Sequence, residues 1–478
     1  MLGLPSRRGR AGDTSAGALD RATCDRLREI VGGDRLLTDA AEVWTYGYDN
    51  SRRHAAPGAV AFAASEAEIV ALVKLCQERG LPVVARGRGT GTTGGTVPTA
   101  GGLVVSLERM RAIGEVNADD RLLVCDPGAT NQAVQEAAGA HGFFWPPDPT
   151  SAAYCTVGGN LAFNAAGPRA VKYGTCRENT LGLRAVTGTG EVIRTGVRTT
   201  KGVVGYDLTR LLIGSEGTLG IITQATLKLT PTPEGRRTLR AVYASIGAAA
   251  QAVSRIMAQP VTPCALEFID HRAIEMVRAH AETELPRGAG AMLMIEVDGA
   301  EACLDAATEA VATAAAGVGL LSLDQARDPS EVRALWQVRK ALSPALRNVA
   351  PKKINEDVAV PVSRIPELVE GLDGLAKWHR VLIVNFGHAG NGNIHVNLLV
   401  DPDDADQLRR AQACLSEVFD LVLTLGGTLS GEHGVGLEKR DFVQREIDPS
   451  TLALMRALKG VFDPAGILNP GKGLPPAA

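Results

Sequence analysis

Residues 83–98, VVARGRGTGTTGGTVP, constrain the fold more than any other stretch of this chain. A β-type run ends in a loop that carries Gly87, Gly89, Gly91, Gly94 and Gly95, with threonines in the gaps and Gly101 further on. Backbone of that kind can turn its N–H groups toward one point and form a nest for an anion such as a pyrophosphate. The loop lacks the Gly-Lys-Ser/Thr ending of a Walker loop, which argues against nucleotide hydrolysis. Its one approximation to a dinucleotide fingerprint, Gly87-x-Gly89-x-x-Thr92, fails at the third glycine, which argues against a Rossmann nicotinamide site. The whole chain shares the bias: 54 of 478 residues are glycine and only 4 % are aromatic, against a usual glycine share of ~7 %. Such a composition points to backbone wrapped closely around a ligand.

The 50 basic and 53 acidic side chains leave a net charge of −3, with no long basic run, so nucleic acid and anionic membranes are not expected partners on electrostatic grounds. At ~150 residues per domain the length predicts two or three domains. Eight cysteines form no CxxC pair, which excludes a zinc-finger pattern and a disulfide framework and leaves buried thiols. The N-terminal MLGLPSRRGRAGDTSAG has arginines but no apolar stretch after them, so it does not read as a secretory signal. The longest uncharged apolar run, Val311–Leu323, falls short of the ~20 residues that span a bilayer. A soluble, cytoplasmic protein is expected.

Before residue 230, short β-type runs at 59–64, 81–86, 102–107 and 122–125 alternate with glycine turns. A helix over 65–80 has Ser65 as its N-cap, Glu68 at the capping-box position and Gly80 at its end. A second, over 130–142, ends in Gly142. TPTPEGRR (230–237) marks a boundary. Beyond it come TLRAVYA, a helix over 246–258, ALEFID, a helix over 270–280, AMLMIEVDG and a helix over 300–316. That alternation predicts an α+β sandwich of ferredoxin type. A polar helix is expected over 328–349 and a strand at 381–386. Residues 1–20 read as a flexible tail, and no internal repeat is evident.

Two further glycine-rich segments follow the first: PPDPTSAAYCTVGGNLAFNAAGPRAVKYG (146–174) and GYDLTRLLIGSEGTLGIITQATLKLTP (205–231). In this order and spacing, the three resemble the FAD-binding part of the vanillyl-alcohol oxidase and para-cresol methylhydroxylase (PCMH) flavoproteins, over roughly residues 25–475. The resemblance implies an α+β protein with a two-subdomain PCMH-type FAD-binding domain over 21–235. It also implies a ferredoxin-like cap domain over 236–445 carrying a metal site, and a C-terminal segment, 446–478, that packs back on the FAD domain. By the same resemblance FAD meets Arg86, Gly87, Arg88, Gly89, Thr90, Gly91, Gly94 and Gly95 at its pyrophosphate. Pro149, Thr150, Gly158, Gly159, Asn160, Ala165 and Gly167 follow from the second segment, and Glu216, Gly217, Thr218 and Ile221 from the third. Asn469, in the final ILNPGK, is implied to reach back to the flavin. Some relatives attach FAD through a histidine of the first loop; this loop has none, so non-covalent FAD is expected.

Three of the eight histidines lie close together in sequence. NFGHAGNGNIHVN (385–397) sets His388 and His395 on either side of a tight turn, and GEHGVG (431–436) adds Glu432 and His433. Two histidines and a carboxylate suit a divalent ion of zinc or manganese type; hydrogen-bonded turn histidines fit the same spacing. The pattern GHxGDGNxHxN followed by GEHGxG resembles that of the FAD-linked D-2-hydroxyacid dehydrogenases. These include D-lactate dehydrogenases, D-type subunits of glycolate oxidase and D-2-hydroxyglutarate dehydrogenases. The resemblance implies that His388, His395 and Glu432 hold the metal, that His433 is the catalytic base and that Asn397 touches substrate. Asn391 stands where relatives commonly carry Asp, which leaves one negative charge fewer beside the metal.

On its own, LWQVRKALSPALRNVAPKKINEDVAVP (335–361) reads as a helix with a basic face. The resemblance implies that Arg339, in Trp-x-x-Arg, forks onto the substrate carboxylate. Ser343 lies one helical turn on, and Lys353 of the pair Lys352–Lys353 is the expected downstream cation. The expected activity is oxidation of a D-2-hydroxy acid, D-lactate foremost, to the 2-oxo acid. Hydride passes to flavin N5, and a quinone or cytochrome reoxidises the flavin. A glycolate oxidase or dehydrogenase subunit and a D-2-hydroxyglutarate-type dehydrogenase are the near alternatives. A metallohydrolase with a vestigial flavin domain and a non-catalytic flavin subunit are the distant ones. A homodimer and peripheral attachment at the inner membrane are compatible with this reading.

Overall fold

The computed structural model describes residues 19–278 and 286–476. The expected tail falls almost wholly outside the described residues, and the first helix, Arg21–Val31, starts from a cap in which Asp20 accepts from the Thr23 N–H. Three parallel strands, Ala59–Phe62, Leu103–Ser106 and Val83–Arg86, with Leu36–Leu37 antiparallel at one edge, make the first sheet. The second is antiparallel, in the order Leu122–Cys125, Ile221–Lys228, Thr180–Val186, Val192–Gly196. Helix Glu66–Arg79 packs Ile69, Leu72, Val73 and Cys76 into the first core, with Ser65 capping the Glu68 N–H and Gly80 left-handed at its end. Glu66, in its first turn, joins the two sheets by accepting from Arg184 and from the Thr223 hydroxyl.

From Gly235 onward the chain builds one antiparallel seven-stranded sheet. Its spatial order is Leu320–Gln325, Gly235–Tyr243, Ala291–Gly299, Ala265–Asp270, Leu382–His388, Asn393–Val400, Lys352–Ala359. The first four strands, with helices Ile246–Ala258 and Glu301–Ala315 as their crossovers, form the expected ferredoxin-like unit: fourth strand, first, third, second. The sheet is larger than one such unit. Lys352–Ala359, helix Ile365–His379, Leu382–His388 and Asn393–Val400 repeat its first–third–second order, followed by helix Ala405–Thr424 and a bridge of Thr428 to Ala359. The two units meet through their second strands, Ala265–Asp270 and Leu382–His388. The topology is duplicated where the residues show no repeat, because an α+β sandwich constrains apolar spacing and not side-chain identity.

Period-two alternation divides the faces of this sheet. Ile383, Ile394, Val396 and Leu398 point into a core closed by helices Ile246–Ala258, Glu301–Ala315, Ile365–His379 and Ala405–Thr424. The opposite face carries Glu267, Phe386, His388, His395, Asn397 and Asp357, held in register by Glu267 opposite His388, Phe386 opposite His395 and His395 opposite Asp357. The C-terminal segment returns to the first sheet, where Leu468 bridges Val83 and the Asn469 N–H donates to the Val83 carbonyl. Among the described residues no helix is long and apolar enough to cross a membrane.

Candidate active site

A cleft of about 1190 Å³ opens between the glycine loop and the polar face of the large sheet. One wall is Gly87, Arg88, Gly89, Thr90 and Gly91, with Pro149, Thr150, Gly159, Asn160, Ala165 and Gly167; the other carries Arg339, Lys353, His388, His395, Glu432 and His433. Gly89 adopts φ +64°, and a Cβ on Gly87 would fall 2.3 Å from Thr156 Oγ1, so the loop closes only with glycine at both places. The Arg88 side chain is half exposed and pairs with Glu108 at 3.0 Å.

Several residues expected to bind the cofactor lie behind this wall. Arg86 turns inward, donating to the Tyr48 carbonyl and Thr96 hydroxyl, so it props the loop from inside. Gly94 backs onto Leu437, Gly158 onto Pro127, and Gly95 onto Phe163. The Glu216 carboxylate accepts from the Val435 and Gly436 N–H groups at 2.6 and 2.8 Å, which ties the third glycine segment to the His433 turn. Gly217 supplies a left-handed turn beside it, the Thr218 hydroxyl donates to the Ser215 carbonyl, and Ile221 is buried in the first core. Asn469 stitches the first and third segments by donating to the Gly95 and Glu216 carbonyls.

On the opposite wall, His388 Nδ1 lies 2.5 Å from Glu267 Oε1, and its Nε2 lies 3.3 Å from Glu432 Oε1. His395 Nε2 is 3.7 Å from the same oxygen. The other Glu432 oxygen accepts from the Gly167 N–H at 2.9 Å. One ligand atom from each of His388, His395 and Glu432 lies within 4.8 Å of the others. Burial pulls His388 down, but Glu267 and Glu432 outweigh it and push its pKa up to about 10. Burial raises Glu432, yet His388 draws it to about 2. Burial and the charges of His433, His388, Arg339 and Lys353 keep His395 neutral. A neutral imidazole, a second imidazole at a point where carboxylates concentrate negative potential, and an ionised carboxylate form a donor set that fits a divalent cation.

Arg339, 9 % exposed, donates from Nε to Glu267 Oε2 at 2.6 Å and lies over the Phe386 ring. Glu267 thus bridges the expected carboxylate fork and the expected metal ligand His388. Ser343 belongs to helix Pro329–Val349, but its side chain lies outside the described residues. Asn397 does not reach the cleft. It is fully buried and donates to the Val384 and His395 carbonyls, so here it braces the strand that carries His395.

His433 stacks on His395, with ring centroids 5.2 Å apart, and its Nδ1 lies 3.5 Å from Asp357 Oδ1, an ion-pair distance longer than a hydrogen bond. Asp357 is fully buried. Its Oδ2 accepts from the Glu432 and His433 N–H groups at 2.6 and 2.7 Å, and Oδ1 from the Lys439 ammonium. Burial raises this carboxyl, but His433 and Lys439 outweigh it and bring its pKa to about 2. Glu267, Asp357 and Lys439 were not singled out from sequence. The available signal was a charge inside an apolar strand, Glu267 in ALEFID and Asp357 in EDVAVP.

Residues 232–473 match the family of FAD linked oxidases, C-terminal domain, and residues 57–196 match the FAD binding domain family. The chain belongs to the FAD-linked oxidases. This FAD-linked oxidase is 38 % identical to glycolate oxidase subunit GlcD of Bacillus subtilis, over 94 % of this chain and 96 % of that one. It is 37 % identical to D-lactate dehydrogenase of Archaeoglobus fulgidus, over 85 % and 88 %. Substrate-bound p-cresol methylhydroxylase shares its fold, with a TM-score of 0.77 at 18 % identity, over 95 % of this chain and 96 % of that one.

Proposed function

We propose that this FAD-linked oxidase oxidises a D-2-hydroxy acid, with D-lactate the first candidate, to the 2-oxo acid. The observation that carries the reading is Arg339, His433 and the His388–His395–Glu432 cluster lining one cleft with the glycine loop. The names of the relatives, glycolate oxidase subunit and D-lactate dehydrogenase, support the same substrate class.

Arg339 receives the substrate carboxylate, with Lys353 on the same wall adding positive charge. Glu267 fixes the guanidinium through Nε, so the carboxylate meets an oriented donor. His433 accepts the C2 hydroxyl proton, and the Asp357 carboxylate stabilises the imidazolium that results. His388, His395 and Glu432 would hold a zinc or manganese ion, which when bound would lend Lewis acidity to the hydroxyl. FAD, when bound along Gly87–Gly91, supplies the hydride acceptor, and a quinone or cytochrome is the proposed terminal acceptor. Anaerobic mixing with D-lactate, L-lactate, glycolate and D-2-hydroxyglutarate tests the reading: the yellow colour is expected to bleach fastest with D-lactate. Bleaching by glycolate or D-2-hydroxyglutarate alone would move the assignment to those alternatives, and no bleaching by any of them would overturn it.

Two further results are expected. With no histidine in residues 83–98, acid precipitation should release all the flavin to the supernatant as FAD; colour retained in the pellet would reveal a covalent link elsewhere. Arg339→Lys keeps charge but loses the fork. The missing charge-assisted contact should cost roughly 1.5–3 kcal/mol, or about 10–150-fold in kcat/KM for the preferred acid. An unchanged value would place the carboxylate elsewhere.

A further inference from the structure

We propose that a clamp outside the cleft, Lys172 and Tyr173 closed on Asp298, positions the residues that bind the divalent ion and thereby sets the affinity for it. The proposal rests on reading His388, His395 and Glu432 as that site.

The three side chains come from two separate stretches of chain, and one short segment of the N-terminal part touches both. At its start, the Gly167 N–H donates to Glu432 Oε2 at 2.9 Å. That bond leaves Oε1 as the carboxylate atom facing His388 Nε2 and His395 Nε2, at 3.3 and 3.7 Å. Gly167 has little freedom to do this differently: its φ is +102°, and a Cβ would lie 2.7 Å from the Asp148 carbonyl oxygen. Further along, Val171 presses on the turn between the two histidines. A Cβ on Gly390 would fall 2.5 Å from Val171 Cγ2. One segment therefore fixes which carboxylate oxygen faces the histidines and the position of the histidine turn.

The helix in this segment, Ala170–Tyr173, is a single turn and cannot hold its own place. Arg169 pairs with Asp148 at 3.2 Å at one end. At the other, Lys172 Nζ donates to Asp298 Oδ1 at 2.6 Å and to the Asp298 carbonyl at 2.8 Å, while the Tyr173 hydroxyl donates to Oδ2 at 2.8 Å. Both oxygens of a carboxylate that is 2 % exposed are thus committed to this segment. Asp298 lies in Ala291–Gly299, separated from the His388 strand by Ala265–Asp270 alone. The clamp references the helix to the same sheet that carries the histidines. Loosening it lets Gly167 and Val171 shift together relative to that sheet. Groups that orient metal ligands from behind typically change affinity 10–100-fold when removed.

The test is a titration of the FAD-loaded full chain with Mn²⁺, free ion being read by electron paramagnetic resonance. Asp298→Ala should weaken binding about 10–100-fold with FAD content unchanged. Tyr173→Phe keeps the ring against Phe144, 5.2 Å away, and should weaken binding less but in the same direction. If Asp298→Ala does not fold, Tyr173→Phe decides. Arg237→Ala, on the strand Gly235–Tyr243 of the same sheet, removes an ion pair with Glu301 of helix Glu301–Ala315 without touching the segment, and should leave Mn²⁺ affinity unchanged. Wild-type affinity in both clamp variants would overturn the proposal with the site intact, and equal weakening in Arg237→Ala would reassign the effect to general loosening. A wild-type chain that binds Mn²⁺ no better than His388→Ala would overturn the reading of the site, and the clamp with it.

Discussion

His433→Asn should slow flavin reduction by D-lactate about 10²–10⁴-fold in an anaerobic stopped-flow, with FAD and metal contents unchanged. An α-hydroxyl is a very weak acid, so hydride cannot leave C2 until the hydroxyl proton has somewhere to go. His433 is the one histidine of the cluster outside the ligand triad. It lines the cleft, and its Nδ1 faces the Asp357 carboxylate at 3.5 Å, which leaves Nε2 to take the proton. Its neighbours are poorly suited to accept that proton. His388 and His395 both direct Nε2 at Glu432 Oε1, where those nitrogens would hold the ion and so are not free to take a proton. Asparagine keeps polarity and rough size but cannot accept a proton. If the variant instead loses its metal and reduces normally once metal is restored, His433 is a ligand and the base lies elsewhere.

What sequence alone revealed follows from which interactions are local. Helix Glu66–Arg79 was legible to the residue because its signals, the Ser65 cap and the Gly80 stop, lie within one turn of its ends. Period two in NIHVNLLV separates His395 and Asn397 from Ile394, Val396 and Leu398, a strand signal that the expectation of a tight turn at 385–397 leaves unused. The glycine loop announced itself, yet the role of Arg86 did not. Nothing in VVARG tells whether the guanidinium faces a ligand or the Tyr48 carbonyl, 38 residues away in sequence. The protein partners of Glu216 and Asn469 were hidden for the same reason. Each sits in a segment that belongs to the site, and each directs its polar atoms to backbone more than 200 residues distant. The role of Glu267 could not be read even from its charge inside ALEFID, because its partners, His388 and Arg339, lie 121 and 72 residues further along. Motifs identified the groups that face the cleft, and only three-dimensional pairing identified the groups that hold them.

Asp357→Asn should approach the effect of removing the base itself, with flavin reduction slowed by about 10²–10⁴-fold although Asn makes no contact with substrate. Asp357 Oδ2 accepts from two consecutive N–H groups, those of Glu432 and His433, and its backbone carbonyl accepts from Gly431 at 2.7 Å. Ser430 Oγ donates to the same carboxylate, so the whole turn 430–433 hangs on one side chain. An asparagine oxygen can keep the two N–H bonds only by turning its amide N–H₂ toward the Lys439 ammonium, which is a donor facing a donor. Lys439 is 1 % exposed and would then have, among the described residues, only Glu356, at 3.5 Å, as an ion-pair partner. Breaking a buried ion pair by removing one member typically costs about 3–5 kcal/mol, so a lower unfolding temperature should accompany the slower reduction. The charge facing His433 Nδ1 disappears at the same time, which makes the protonated imidazole less stable when it is needed. The two consequences separate experimentally. Stability lost without any loss of reduction rate would make Asp357 a scaffold for the turn, and His433 a base that works without an ionised neighbour.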